Sequence, residues 1–190
     1  MSEMIEIRWH GRGGQGVVTA GEVLGEAAMN TGKYFQAFPE YGAERMGAPI
    51  KAYTRISDDP IEVHSPILEP DVVIVVNSNL IGAVDLTEGI KEGGTLIMNA
   101  KRTPAEIREA LDFEAGDVWC VDASGIAMEE IKRDIPSTMM IAVFAKATGA
   151  LELDNVTETV EETLGERLRA EVVEANVRAL QRAYNECTQG

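Results

Sequence analysis

The stretch Ile5-Glu6-Ile7-Arg8-Trp9-His10-Gly11-Arg12-Gly13-Gly14-Gln15-Gly16-Val17-Val18-Thr19-Ala20 changes period in the middle. Ile5, Ile7 and Trp9 alternate with Glu6, Arg8 and His10, the pattern of a β-strand. From Val17 on, Val18, Ala20, Val23, Leu24, Ala27 and Ala28 recur at helical spacing, with Gly32 as the stop. Between the two, Gly11, Gly13 and Gly16 satisfy G-x-G-x-x-G at a strand-to-helix junction, the context in which that pattern carries information. Glycine permits positive φ and removes the Cβ that keeps a phosphate away from the backbone. The helix start adds unpaired N–H groups and partial positive charge. Gly11, Arg12, Gly13, Gly14, Gln15 and Gly16 are therefore candidate phosphate-binding residues, with Arg12 as a charge-assisted fork. The same spacing also fits a tight turn that binds nothing, and spacing alone leaves both readings open.

Outward from this loop, strands and helices alternate. Lys33–Phe38 reads as a short strand ended by Pro39, and Glu40–Pro49 as a loop. Ala48, Ile50, Ala52, Thr54 and Ile56 alternate with Lys51, Tyr53 and Arg55, predicting a half-buried strand before the Asp58-Asp59-Pro60 turn. Asp71–Val76 is a β-branched run of the kind buried on both faces of a parallel sheet. Gly94–Met98 and Asp117–Val121 are further strands. Thr103-Pro104-Ala105-Glu106 is a helix start with a capping box and proline at the first position. Ser137–Thr148 is a mostly apolar helix, packed inside the fold or against a partner. One helix begins near Asp154 or Asn155, and another runs from about Glu166 to Tyr184. The alternation predicts a single α/β domain over residues 1–190. It is a three-layer α/β/α, Rossmann-like arrangement with a mostly parallel central sheet.

The net charge of −15 repels phosphate backbones and anionic lipid, which argues against nucleic acid and membrane surfaces as partners. No signal-peptide pattern and no apolar run near the ~20 residues of a membrane span is present, so a soluble, cytoplasmic protein is expected. Cys120 and Cys187 are too few for an iron–sulfur cluster, which takes four thiolates. His10 and His64 complete no zinc spacing with them, so no metal site is expected. A disulfide between the two cysteines stays open.

A nicotinamide-dependent enzyme would carry an acidic residue at the end of the second strand to hold the ribose. That strand ends Ala37-Phe38-Pro39, with Glu40 beyond the proline, and His10 and His64 are isolated from any hydride-transfer set. A free-standing dinucleotide-binding oxidoreductase is thus an alternative supported by the glycine pattern alone. A non-enzymatic binding module of the same fold is another.

Two ordered blocks go further. Gly11-Arg12-Gly13-Gly14-Gln15-Gly16-Val17-Val18-Thr19-Ala20 resembles the start of the gamma subunits of 2-oxoacid:ferredoxin oxidoreductases. Gln36-Ala37-Phe38-Pro39-Glu40-Tyr41-Gly42-Ala43-Glu44-Arg45-Met46-Gly47-Ala48-Pro49, continued by Lys51–Ser57, resembles the second block of that family. Lys146-Ala147-Thr148-Gly149 is a weaker match. Gly47-Ala48-Pro49 followed by Lys51 is more similar to the enzymes acting on pyruvate than to those for 2-oxoglutarate or branched-chain oxoacids. Ile135-Pro136-Ser137-Thr138 departs from relatives that often carry asparagine before the threonine.

The resemblance implies a multisubunit enzyme interconverting pyruvate, coenzyme A and oxidised ferredoxin with acetyl-CoA, carbon dioxide and reduced ferredoxin. It implies alpha, beta and delta partner subunits carrying thiamine diphosphate, magnesium and iron–sulfur clusters, with ferredoxin reached through the complex. This chain would hold no cofactor and no catalytic residue. Its glycine loop would help to hold coenzyme A, and Tyr41, Glu44 and Arg45 would face neighbouring subunits or the coenzyme entrance. Gly116-Asp117-Val118 is a fragment of a thiamine diphosphate motif that reads better as a strand turn. An uncovered apolar patch would favour the subunit reading, with Met29, Met46, Met139 and Met140 as candidates and core packing as their alternative.

Overall fold

The computed structural model describes residues 4–40 and 47–190. Strand β1 (Met4–Arg12) runs into the glycine loop and helix α1 (Val17–Asn30). The chain then forms β2 (Tyr34–Pro39), β3 (Pro49–Ser57) and β4 (Val72–Val75), followed by a short 3₁₀ turn at Ser78–Leu80. Next come β5 (Thr95–Asn99), α2 (Pro104–Leu111), β6 (Asp117–Val121) and α3 (Ala123–Glu130). The chain closes with α4 (Ser137–Thr148), α5 (Leu153–Gly165), α6 (Ala170–Glu186) and a two-residue β7 (Thr188–Gln189).

The seven strands form one sheet in the order β2-β3-β1-β4-β5-β6-β7. The expected parallel pairing holds for the central four, β1, β4, β5 and β6. Antiparallel pairs flank them, β2 with β3 and β3 with β1 on one side and β6 with β7 on the other. The sheet is therefore mixed. Its antiparallel part begins with β2 and β3, because the nine residues between them are fewer than the dozen or more that a crossover to a parallel neighbour requires. The apolar run β4 lies at the centre and is buried on both faces.

The three layers are unequal. On one face α1, α3, α4, α5 and α6 cover Ile7, Trp9, Ile74, Ile97 and Val121, with Phe144 of α4 fully buried among them. Met139 and Met140 are core residues here, so they form no exposed patch; Met29 is about half exposed, and Met46 lies outside the described residues. The other face carries one helix, α2, over Val73, Val75, Leu96, Met98 and Val118. The Thr103 capping box of α2 is formed in full, a feature whose loss costs about 1 kcal/mol.

Beyond α2 that second face is polar and covered by loops. Arg8, His10, Tyr53 and Arg55 stand on it and are buried, so β3 is not the half-solvated strand its alternation suggests. The Arg55 guanidinium donates to Glu6 Oε1 at 2.9 Å, to Gln36 Oε1 at 2.8 Å and to the Ser65 carbonyl at 2.8 Å. Backbone carbonyls of the covering loops thus replace water, which makes burial of a charge tolerable.

Helix α6 starts at Ala170, later than its periodicity suggests, because Arg169 is extended (ψ 150°) while Leu168 still donates its N–H to the Leu164 carbonyl. Helix α3 is missed by periodicity, since its buried Ala123, Ile126 and Ala127 make only a short stripe. Asp122 caps it through Gly125 N–H. Gly116-Asp117-Val118 runs from a bend at Gly116 into β6, with Asp117 N–H donating to the Gly94 carbonyl at 3.1 Å. No helix of the described residues is long and apolar enough to cross a membrane.

Candidate functional site

The parallel strands β1, β4, β5 and β6 end at one edge of the sheet, and the glycine loop stands there. Gly11 is the next-to-last residue of β1, and a Cβ at this position would run into Val17 of α1. Gly14 (φ +92°) and Gly16 (φ +72°) occupy the left-handed region that glycine enters without strain. Space above Gly14 is open, whereas Gly16 faces Ser137 at the start of α4. The loop is braced from within: Gln15 Oε1 accepts from Arg12 N–H at 2.8 Å, and Gln15 N–H donates to the Arg12 carbonyl at 3.1 Å. Helix α1 starts with no side-chain cap and no acid in its first turn. A hollow of about 360 Å³ lies against Gly13, Gly14, Gly16 and the first turn of α1.

The fold brings the two sequence blocks together. Arg12 pairs with Pro49 and Gly11 with Ile50 across β1 and β3. Gly13 N–H donates to the Ala48 carbonyl at 3.0 Å, and Arg12 Nη1 donates to the Gly47 carbonyl at 2.9 Å. Arg12 therefore clasps the second block instead of standing alone over the loop. Tyr41, Glu44 and Arg45 lie outside the described residues. The third block is elsewhere: Gly149 (φ +64°) ends α4 beside Ile5 and Ile56, at the opposite end of β1.

Next to the loop is a polar crevice of about 370 Å³ that the sequence reading did not single out. It is built from the residues that follow β4, β5 and β6, the place where open α/β sheets take ligands. Asn99, the last residue of β5, organises it. Its amide Nδ2 donates to the Val76 carbonyl (2.8 Å) and to Ser124 Oγ (3.0 Å), while its Oδ1 accepts from Ser124 N–H (3.2 Å). Ser124 Oγ in turn donates to Asp134 at 2.7 Å. Asn77 caps the 3₁₀ turn by accepting Asn79 N–H at 3.0 Å. The mouth carries Lys101, 3.6 Å from Asp122, and Arg102. Side chains locked by such bonds are held ready for a ligand instead of being ordered by it.

The titratable groups nearby are not arranged for proton transfer. Burial, and then the Arg8 guanidinium, depress His10 to about 3, so the imidazole is neutral and accepts from Arg8 Nε at 3.0 Å. Arg8 also donates to the Glu88 carbonyl at 2.6 Å, and burial pulls it below its ordinary value. Burial, reinforced by the hydrogen bond to Glu40, raises Tyr53 to about 12. His64 is exposed, with Nδ1 2.8 Å from Gln36 Nε2. Burial pushes the Cys120 thiol up to about 12 and that of Cys187 upward as well. Both cysteines are free and pack into cores on opposite faces of the sheet, so no disulfide joins them. Among the described residues no cluster of three or more His, Cys, Asp or Glu side chains stands close enough to hold a metal ion.

Among the described residues the ribose position of a dinucleotide site is also absent. The strand after α1 is not the neighbour of β1; antiparallel β3 fills that place, and Glu40 is engaged by the Tyr53 hydroxyl at 2.9 Å. This removes the main structural support for a nicotinamide-binding reading.

Residues 6–186 match the family model of pyruvate ferredoxin/flavodoxin oxidoreductase. The chain is 46% identical over 182 residues to the pyruvate/ketoisovalerate oxidoreductases common subunit gamma of Thermococcus kodakarensis, covering 96% of each protein. It is 45% identical over 181 residues to pyruvate synthase subunit PorC of Thermotoga maritima, covering 95% of this chain and 93% of that one. The crystal structure of pyruvate oxidoreductase subunit PORC from Thermotoga maritima superposes with a TM-score of 0.86 at 40% identity, over 99% of both chains.

Proposed function

The chain belongs to the pyruvate ferredoxin/flavodoxin oxidoreductase family, and on that premise we propose that it is the gamma subunit of a multisubunit pyruvate:ferredoxin oxidoreductase. The enzyme interconverts pyruvate, coenzyme A and oxidised ferredoxin with acetyl-CoA, carbon dioxide and reduced ferredoxin. Thiamine diphosphate, magnesium and iron–sulfur clusters belong to alpha, beta and delta partner subunits. Two free, buried cysteines on opposite faces do not fit a cluster on this chain.

Its own contribution is to hold coenzyme A at the strand-end edge and to cover the active site. The observation that carries this is the juxtaposition of an uncapped helix start behind Gly14 and Gly16 with a pre-ordered polar crevice bearing Lys101 and Arg102. The N–H groups at the uncapped start of α1, just after Gly16, suit a pyrophosphate. The two cations suit a further phosphate, and Arg12 braces the loop against Gly47. Tyr41, Glu44 and Arg45, outside the described residues, are on the family resemblance candidates for contact with the coenzyme or a neighbouring subunit.

The test is to purify the chain from its native cells with its partners and assay coenzyme A-dependent pyruvate oxidation with ferredoxin. Co-purification with a thiamine-dependent, iron–sulfur-containing assembly that is active on pyruvate is expected. A lone, inactive chain from cells that contain such an enzyme contradicts the proposal. The Thermococcus relative is named as common to pyruvate and ketoisovalerate enzymes, which supports a second reading in which this chain serves both. Recovery in two assemblies, one active on each oxoacid, would establish it.

A further inference from the structure

On the helix-covered face, beside the glycine loop, the first turns of α1, α4 and α6 and the end of α5 enclose an apolar groove of about 240 Å³. Residues 131–136 separate it from the polar crevice, Asp134 lining the crevice while Arg133 and Ile135 line the groove. Ile135, Leu168 and Val172 are large apolar side chains left about 40% exposed, and all three converge on this groove. In its lining the Thr138 hydroxyl oxygen is out of water and has no hydrogen-bond partner among the described residues. Arg133 and Arg167 also line it, and neither is in an ion pair among the described residues.

We infer that this groove receives an amphipathic helix from another subunit of the same enzyme, presenting two or three aliphatic side chains flanked by carboxylates. The inference rests on the subunit reading above. Three observations select this occupant. The volume falls below the ~300–1,000 Å³ of pockets that enclose drug-sized ligands, but suits the side-chain ends of a helix laid in a groove. The apolar walls demand aliphatic contact. Arginines on both sides demand carboxylates: charge beyond a Debye length of about 8–10 Å is screened, so the local rim outweighs the net −15 of the chain. A second copy of this chain fits poorly, because a two-fold contact through this patch would set the arginines of one copy against those of the other.

The test uses the whole assembly. The Leu168→Glu/Val172→Glu variant alters two exposed positions and should fold, and its release from the assembly should be at least about 100-fold easier than for wild type, the effect of removing central apolar anchors. Met128→Glu, at a somewhat more exposed apolar residue on α3 outside the groove, should leave assembly unchanged. Arg133→Glu/Arg167→Glu should weaken assembly about tenfold and serves if the first variant does not fold. A photo-crosslinking amino acid at position 168 should capture a peptide of another subunit with aliphatic residues at helical spacing next to Asp or Glu. Unimpaired assembly of the groove variants, or capture of a second copy of this chain or of no protein, overturns the inference. A wild-type chain that recovers no partner at all overturns the subunit reading instead.

Discussion

The two faces of this sheet are built by opposite means. One is sealed by five helices against aliphatic and aromatic side chains, and its stability comes from area removed from water. The other, over β1 and β3, is sealed by loops, and its buried residues are Arg8, His10, Tyr53 and Arg55. There each charge or polar group is met by a carbonyl, a carboxylate or a neighbouring ring nitrogen. The apolar face tolerates change in hydrophobic shape, whereas the polar face depends on particular bonds and on pH. The glycine loop and crevice lie at the edge where the faces meet, so both hold them in position.

The largest contrast is expected in the core. Phe144→Ala, at a fully buried position of α4, should cost about 3–5 kcal/mol, at pH 7 and pH 4 alike, by urea unfolding. The loop-covered face should respond to pH instead. His10 is depressed in the folded chain to about 3 from an ordinary 6.5, so the unfolded chain takes up the proton first as pH falls. The stability linked to His10 is therefore full above about pH 6.5 and lost progressively toward pH 3. Between pH 7 and pH 4 it amounts to roughly 3 kcal/mol. His10→Gln, which keeps an acceptor for Arg8, should flatten that part of the profile. Equal acid sensitivity in the two proteins would mean that the face is not held by a neutral imidazole.

At the shared edge the effects are smaller. Asn99→Ala strips partners from Val76, Ser124 N–H and Ser124 Oγ, and should cost about 1–3 kcal/mol of stability together with weaker coenzyme A binding. Loss of stability with unchanged binding would assign Asn99 to the fold alone. Arg12→Ala should weaken coenzyme A binding by about tenfold, or ~1.4 kcal/mol. If the dependence on coenzyme A does not change, the guanidinium is a brace for Gly47 and the backbone N–H groups do the binding.

The apolar layers of the two faces were largely legible in the sequence because their signals are local. The period change at Gly11–Gly16, the run at β4, the Thr103 box and the apolar α4 are each carried by a few neighbouring residues. The polar face was not, because alternation of Arg8, His10, Tyr53 and Arg55 reads as solvent exposure, and the carbonyls that bury them come from distant loops. The site was half legible. Both motif blocks were visible, but their contact depends on the antiparallel β1–β3 register, which is tertiary. Asn77, Asn99, Ser124 and Asp134 form no motif and are spread along the chain. A usable signal was there: Val76-Asn77, Met98-Asn99 and Val121-Asp122 each put a polar residue directly after an apolar strand, and these mark one edge of a parallel sheet.

If this edge holds coenzyme A, as proposed, calorimetric titration of coenzyme A into the assembled enzyme should respond to charge at the crevice mouth. Wild type is to be compared with Lys101→Glu/Arg102→Glu, which reverses the charge at the crevice mouth without touching the core. Binding at least about tenfold weaker in the variant, with assembly intact, is the predicted result. Identical affinity in the two enzymes would contradict the account and place the coenzyme elsewhere.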